Sequence, residues 1–191
     1  MKTVPYPEEC KSIPVYRDYM IATGGHVYTI EEEARIILWL AGKTQGNCVE
    51  IGCNEGMFTR ALAEWYPGKR VYAVDSPYID LVAEQEYERV KEVGKFAAHL
   101  PNVTVVSASS RSFFYPPNVT FAFIDGDHTY EGVKADTEKA MLYEPQIIAW
   151  HDYRPDSEWM GVARLLNEMV NDGVELVQVE GTPIVVKGWP A

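Results

Sequence analysis

Asn47-Cys-Val-Glu-Ile-Gly-Cys-Asn-Glu-Gly56, followed about twenty residues on by Val71-Tyr-Ala-Val-Asp75, decides the reading of this chain. Cys48 to Ile51 is short, apolar and β-branched, which predicts a strand. Gly52 and Gly56 bracket a loop, and Met57 to Trp65 carries its apolar residues at helical spacing. Strand, glycine loop and helix in that order make a nucleotide cradle, because glycines let backbone amides approach a ligand and the helix N-terminus adds positive charge. Asp75 ends the second strand, where an acid accepts hydrogen bonds from both ribose hydroxyls. The loop contains Glu55, follows Glu50, and lacks the third glycine of a G-x-G-x-x-G dinucleotide loop. Two carboxylates repel a pyrophosphate and suit a cationic ligand. The bland alternative is a strand-loop-helix turn with no ligand.

The 191 residues suffice for one packed core and fall short of two full ones. A hydrophobic share of 47% with 24% charged residues excludes a disordered chain. The net charge of −11 leaves no basic stripe to neutralise phosphates, so a nucleic-acid partner is not expected and a small, neutral or cationic molecule is. No apolar run approaches the ~18 residues of a membrane span, and the first ten residues lack the apolar core of a signal peptide. A cytoplasmic protein is expected. Cys10, Cys48 and Cys53 are odd in number and lack C-x-x-C spacing, so neither a disulfide framework nor a zinc knuckle is indicated. Cys48 reads as a buried strand residue and Cys53 as a loop residue beside the ligand. Asn102-Val-Thr and Asn118-Val-Thr match glycosylation sequons but read as loop residues opening strands.

Along the chain, residues 1–28 read as an irregular arm or short helix ahead of a single domain at 29–191. Thr29 to Glu32 has the form of a capping box for an amphipathic helix from Glu31 to Ala41 that ends at Gly42. His26 and Tyr28, just before it, are candidates to reach the ligand, with a surface turn as the alternative reading of His26. Ile79 to Phe96 reads as a long helix, acidic early and basic late at Lys91 and Lys95. Val103 to Val106 is a third strand, and the small Ser107 and Ala108 after it leave room for an adenine ring. Val119 to Ile124 is almost wholly apolar, as a strand buried on both faces requires. Gln146 to Trp150 is a fifth strand, Glu158 to Val170 a helix, and Val174 to Val179 and Pro183 to Lys187 a closing pair of strands.

Two strand ends carry the chemistry. Val119 to Ile124 runs into Asp125-Gly-Asp-His-Thr-Tyr-Glu-Gly-Val-Lys-Ala-Asp136, with a helix from about Thr129, and the fifth strand delivers His151-Asp-Tyr153. In open α/β folds ligands bind at the carboxyl ends of the strands, so both segments face one pocket. Tyr130 reads as packing, Glu131 as first-turn charge, Asp136 as solvated, and Asp127 and Asp152 have cap readings as alternatives. A hydroxyl acceptor there would lose its proton either to a histidine directly or to solvent, once a divalent cation has lowered its pKa.

Glu50-x-Gly52-x-x-x-Gly56 with Asp75, together with Asp125-Gly-Asp-His128 and His151-Asp-Tyr153, resembles the class I S-adenosylmethionine-dependent methyltransferases of small molecules, the macrolide-sugar O-methyltransferases among them. Asn54 stands where many of them have a middle glycine. The resemblance implies an α/β, Rossmann-like seven-stranded methyltransferase sheet with its last strand antiparallel and helices on both faces. It implies S-adenosylmethionine at Glu50, Gly52, Cys53, Asn54, Gly56, Asp75, Ser107, Ala108 and Asp125, and reacting groups at His128, His151 and Asp152. In metal-dependent members the ends of the two strands supply the ligands of a divalent cation such as Mg, here Asp125, His151 and Asp152, with His151 departing from the usual acid or amide. Methyl transfer to the hydroxyl of a small molecule is the expected activity. A nicotinamide-dependent oxidoreductase and a non-catalytic nucleotide-binding or assembly protein are the alternatives. Residues 1–28 and Tyr153 to Trp159 are candidate lid segments, and Trp150, Trp159 and Trp189 are candidate surfaces for a homo-oligomer.

Overall fold

The computed structural model describes residues 1–14, 31–77, 92–156 and 161–190. Among them are strands β1 (Lys2–Val4), β2 (Asn47–Ile51), β3 (Val71–Asp75), β4 (Val103–Ser107), β5 (Val119–Ile124), β6 (Ile147–Trp150), β7 (Val177–Val179) and β8 (Val185–Lys187). The α-helices are α1 (Glu31–Gly42), α2 (Met57–Trp65), α3 (Tyr130–Tyr143) and α4 (Gly161–Asn171), with short 3-10 turns at Glu8–Ser12 and Ser110–Ser112.

All eight strands join one sheet in the order β1-β7-β8-β6-β5-β2-β3-β4. Every pairing is parallel except those of β8 with β6 and with β7, so the last strand alone runs backwards. β5 and β6 lie side by side at the centre, with Ile124 opposite Trp150. The two central strands therefore end at neighbouring points.

Alternation along the strands builds two cores, as the strand period of two requires. Cys48, Phe121, Phe123 and Ala149 face α1 and α2, packing on Ile36, Ile37, Leu40 and Leu62. Val49, Ile51, Ala122, Ile124, Ile148 and Trp150 face α3 and α4, packing on Val133, Ala140, Val162 and Leu166. Helices thus cover both faces, as expected. Asn102 takes a loop role: its Nδ2 donates to the carbonyls of Ala63 and Lys69 at 2.9 and 3.0 Å, closing the end of α2.

Several expectations change. The sheet has an eighth strand, because Lys2–Val4 pairs with β7, while Cys10 and Ile13 from the same N-terminal stretch enter the core. Trp150 is no interface residue: it is fully buried and donates from Nε1 to Thr137 Oγ1 at 2.8 Å. Trp189 packs on Trp39 with ring centroids 5.4 Å apart. Asp136 is buried rather than solvated, since it shares the inner side of α3 with Val133, Thr137 and Ala140. Residues 93–96, read as the end of a helix, form turns instead, with Gly94 at φ 67°. Residues 79–91 of that helix, the capping Thr29, His26, Tyr28, Trp159, and residues 15–28 and 157–159 of the lid segments lie outside the described residues. No helix among the described residues is long and apolar enough to cross a membrane.

Deleting the Trp150 side chain leaves a large void between β6 and α3. Trp150→Ala is expected to lose about 3–5 kcal/mol in urea denaturation, whereas Leu142→Ala, at a side chain 77% exposed, changes stability by no more than ~0.5 kcal/mol.

Candidate active site

The glycine loop between β2 and α2 is wound through left-handed backbone at Gly52 (φ 89°), Asn54 (φ 49°) and Gly56 (φ 84°). Asn54 stands at the position of the expected middle glycine and adopts the conformation a glycine would, as asparagine tolerates. Its backbone N–H donates to Asp75 Oδ2 at 2.6 Å, so the acid that ends β3 also fixes the loop. Ser107 is in register with Asp75, and the Ala108 N–H donates to the Asp75 carbonyl at 2.9 Å. These residues form one group.

Two acids of the loop behave differently from a simple acidic rim. Glu55 is ion-paired with Lys95, and the same turn receives Gly94 N–H on the Asn54 carbonyl at 2.8 Å and Phe96 N–H on the Glu55 carbonyl at 2.9 Å. Its charge is neutralised, so the repulsion of a pyrophosphate inferred from sequence loses one of its two carboxylates. Glu50 is 2% exposed, lies behind the loop and accepts from Thr59 Oγ1 of α2 at 2.6 Å. Burial pushes its carboxyl up from 4.5 to about 8, against the Thr59 hydrogen bond and with help from Asp125 and Asp75. Cys53 is buried in the same turn.

The second group sits at the ends of β5 and β6. The Asp125 N–H continues the ladder to the Ile51 carbonyl at 2.8 Å and the His151 N–H to the Ile124 carbonyl at 3.1 Å. Successive strand residues point to opposite faces, yet His151 and Asp152 aim at one spot. The break is at Asp152, whose φ of 58° turns the chain left-handed. Arg154 Nε donates to Asp152 Oδ1 at 3.1 Å, and Tyr153 Oη donates to Asn167 Oδ1 at 2.9 Å, which anchors the motif to α4. His128 is presented by the start of α3, where Thr129 caps the helix by accepting from the Gly132 N–H and Asp127 Oδ1 accepts from the Thr129 N–H. α4 braces it, because the Gly161 N–H donates to the His128 carbonyl at 2.8 Å and a Cβ on Gly161 would fall 2.0 Å from the Tyr130 nitrogen.

These side chains close into a ring. His151 Nδ1 is 3.2 Å from Asp125 Oδ1 and 3.1 Å from Asp152 Oδ2, and His128 Nε2 is 3.4 and 3.3 Å from the same two oxygens. Ligand atoms of Asp125, His128 and Asp152 lie within 4.8 Å of one another. His151 is 2% exposed, and its Nδ1 makes no hydrogen bond: both oxygens are close but off the N–H direction, so the contacts are ionic. Burial pushes the His151 imidazole down, and the carboxylates of Asp125, Asp152 and Glu33 outweigh it, carrying it up to about 12. Asp152 is raised by burial and held below its ordinary value by His151, His128 and Arg154. Asp125 raises His128 against the opposing effect of burial.

Glu33 was not anticipated from sequence. It lies on α1, is 4% exposed, and its Oε2 stands 2.9 Å from His151 Nε2. The sequence signal was available: Glu33 falls on the same helical stripe as Ile36, Ile37 and Leu40, where a charge has no reason to sit unless it meets a partner.

The two groups touch. A Cβ on Gly52 would fall 2.0 Å from the Asp125 backbone carbonyl oxygen, so the loop passes directly against the backbone of the residue whose carboxylate belongs to the ring. A glycine loop and acid on one side of the central strands, with ionisable groups on the other, define a nucleotide-dependent transferase of the methyltransferase type. The family described as "Methyltransferase domain" matches residues 49–153, more than half of the chain, and the chain belongs to that family. Solved structures share its fold. A cofactor-bound protein, Rv0187 from MTB, is 18% identical with a TM-score of 0.63, over 88% of this chain and 84% of that one. The O-methyltransferase TomG from Streptomyces achromogenes, solved with SAM, is 13% identical with a TM-score of 0.59, over 88% and 84%. The calicheamicin methyltransferase CalS11 is 18% identical with a TM-score of 0.59, over 81% and 76%. A search of curated proteins gives no match.

The state of Glu50 sets a pH dependence. Between its ordinary 4.5 and about 8 the folded chain keeps a proton that the unfolded chain has released, so stability falls as pH rises through that window. Glu50→Gln keeps an acceptor for Thr59 and removes the titration. Its denaturation midpoint relative to the natural chain is expected to rise steadily across this window, and a constant difference would contradict the assignment.

Proposed function

We propose that the chain transfers a methyl group from S-adenosylmethionine to a hydroxyl oxygen of a small molecule. The observation that carries this reading is the contact of Gly52 with Asp125, which sets the cofactor loop against a cluster able to take or displace a hydroxyl proton. The cofactor supplies an electrophilic methyl on a sulfonium, and a divalent cation, when bound, lowers the pKa of a coordinated hydroxyl. The nicotinamide reading lacks its third glycine and is disfavoured by the family match.

In this proposal the loop residues Gly52, Cys53, Asn54 and Gly56 hold the amino-acid part of the cofactor, and Asp75 takes the ribose hydroxyls. Ser107 and Ala108, beside Asp75, border the adenine. Glu50 acts from behind, anchoring α2 through Thr59 so that the loop keeps its shape. Asp125, His151 and Asp152 hold the cation. His128, the most exposed of the ring at 38% of its side chain, borders the acceptor. Rate enhancement comes largely from holding the acceptor oxygen in line with the methyl group. The acidic surface, at a net charge of −11, suits a neutral or cationic acceptor rather than a nucleic acid, in a cytoplasmic protein.

Calorimetric titration with S-adenosylhomocysteine is expected to give saturable one-to-one binding. Asp75→Ala should weaken it at least tenfold, about 1.4 kcal/mol or more, and NAD should give no heat. Binding of NAD in place of S-adenosylhomocysteine would overturn the proposal.

A further inference from the structure

Asp136 and Lys139 of α3 take no part in the cluster at the strand ends, yet both are held at the turn that follows β4. Asp136 is 4% exposed, a buried charge that methyl transfer itself leaves without a task. A Cβ built on Gly126 would stand 3.4 Å from Asp136 Oδ2 and 3.7 Å from the Gly52 nitrogen. On its other side the carboxylate meets the hydrogen-bonding side chain of Ser110. It is therefore buried where the end of β5, the start of the glycine loop and the turn after β4 come together. Burial raises its pKa, and Ser110 is the largest influence opposing that rise.

Lys139 lies three residues further along α3, on the same side of the helix. Its ammonium donates to the carbonyls of Ser110, Arg111 and Phe113 at 2.7, 2.6 and 2.7 Å, which occupies all three of its N–H groups. Within the turn, Ser109 Oγ accepts from the Arg111 N–H at 3.3 Å and the Ser109 carbonyl from the Ser112 N–H at 3.0 Å. Surface loops are ordinarily the mobile parts of a fold, and this one is fastened by two charged groups of a single helix. It continues directly from Ser107 and Ala108, the second of which is tied to the Asp75 carbonyl.

We propose that Asp136 and Lys139 are positioning residues for the cofactor base, clasping the turn at residues 109–113 to α3 so that it forms one wall of the adenine subsite. This rests on S-adenosylmethionine as the cofactor and adds what fixes the place of its base. Both residues act through the turn and not on the reacting atoms. Since His128 immediately precedes the cap of α3, the base and the acceptor are positioned from one helix.

The test uses the full chain and calorimetric titration with S-adenosylhomocysteine and with S-inosylhomocysteine, in which an oxo group replaces the adenine amino group. The natural chain is expected to prefer S-adenosylhomocysteine at least about tenfold. Lys139→Met and Ser110→Ala are each expected to weaken S-adenosylhomocysteine about tenfold and to leave S-inosylhomocysteine nearly unchanged, so that the preference is lost. Trypsin, which cuts after the exposed Arg111, gives a second readout: S-adenosylhomocysteine should slow that cut in the natural chain, and Lys139→Met should quicken it. Denaturation midpoints establish that each variant is folded. Asp136→Asn should act as Ser110→Ala does, and if it fails to fold the other two variants carry the test. An unchanged preference in folded Lys139→Met and Ser110→Ala, equal losses for both nucleosides as a purely structural role would give, or no preference in the natural chain would overturn the proposal while leaving methyl transfer in place. Failure of the natural chain to bind S-adenosylhomocysteine at all would overturn the methyl-transfer reading and the clasp with it.

Discussion

The structure depends on the pairing of three carboxylates with two imidazoles, wholly or partly buried, around the ends of two adjacent parallel strands. Charges removed from water cost several kcal/mol each unless they are paired. Here each group finds opposite charge: His151 lies among Glu33, Asp125 and Asp152, and His128 bridges the two aspartates. The pairing works only because β5 and β6 are neighbours, because Asp152 turns left-handed, and because α1 packs with Glu33 inward. Remove any one of these and a charge is left buried without a partner.

The cofactor loop obeys a related economy. Its glycines are needed by the protein before any ligand arrives, since Gly52 lies against Asp125 and Gly56 against Gly94. Asp75 and Asn54 hold the loop shape, and Glu55 serves to fasten the loop to Lys95. With Glu50 raised toward neutrality by burial, Asp75 carries the negative character facing the loop. A loop so braced is preorganised, which favours tight and oriented binding.

Elements with a strong local pattern were legible from sequence: the apolar strands β2 and β5, the glycine loop, the helix opened by Thr129, and the reversed last strand. The methyltransferase family and the sheet follow from these. What escaped was set by tertiary contacts. Asp136 was read as a solvent-facing charge and Glu33 was not singled out, although each falls on the buried stripe of its helix, and their burial depends on a partner over a hundred residues away for Glu33 and on the neighbouring turn at Ser110 for Asp136. Lys2–Val4 is too short and polar to announce a strand, and it becomes one by pairing with β7. The pairing of Glu55 with Lys95 likewise joins segments with no shared local pattern. His151 and Asp152 were found as candidates, but the left-handed turn that makes them converge leaves no trace in residue type.

The most direct measurement is a crystal structure of the chain grown with S-adenosylhomocysteine. The account predicts the nucleoside against Asp75, with the amino-acid part of the ligand on the loop from Gly52 to Gly56. A ligand bound elsewhere, or none bound, would contradict it.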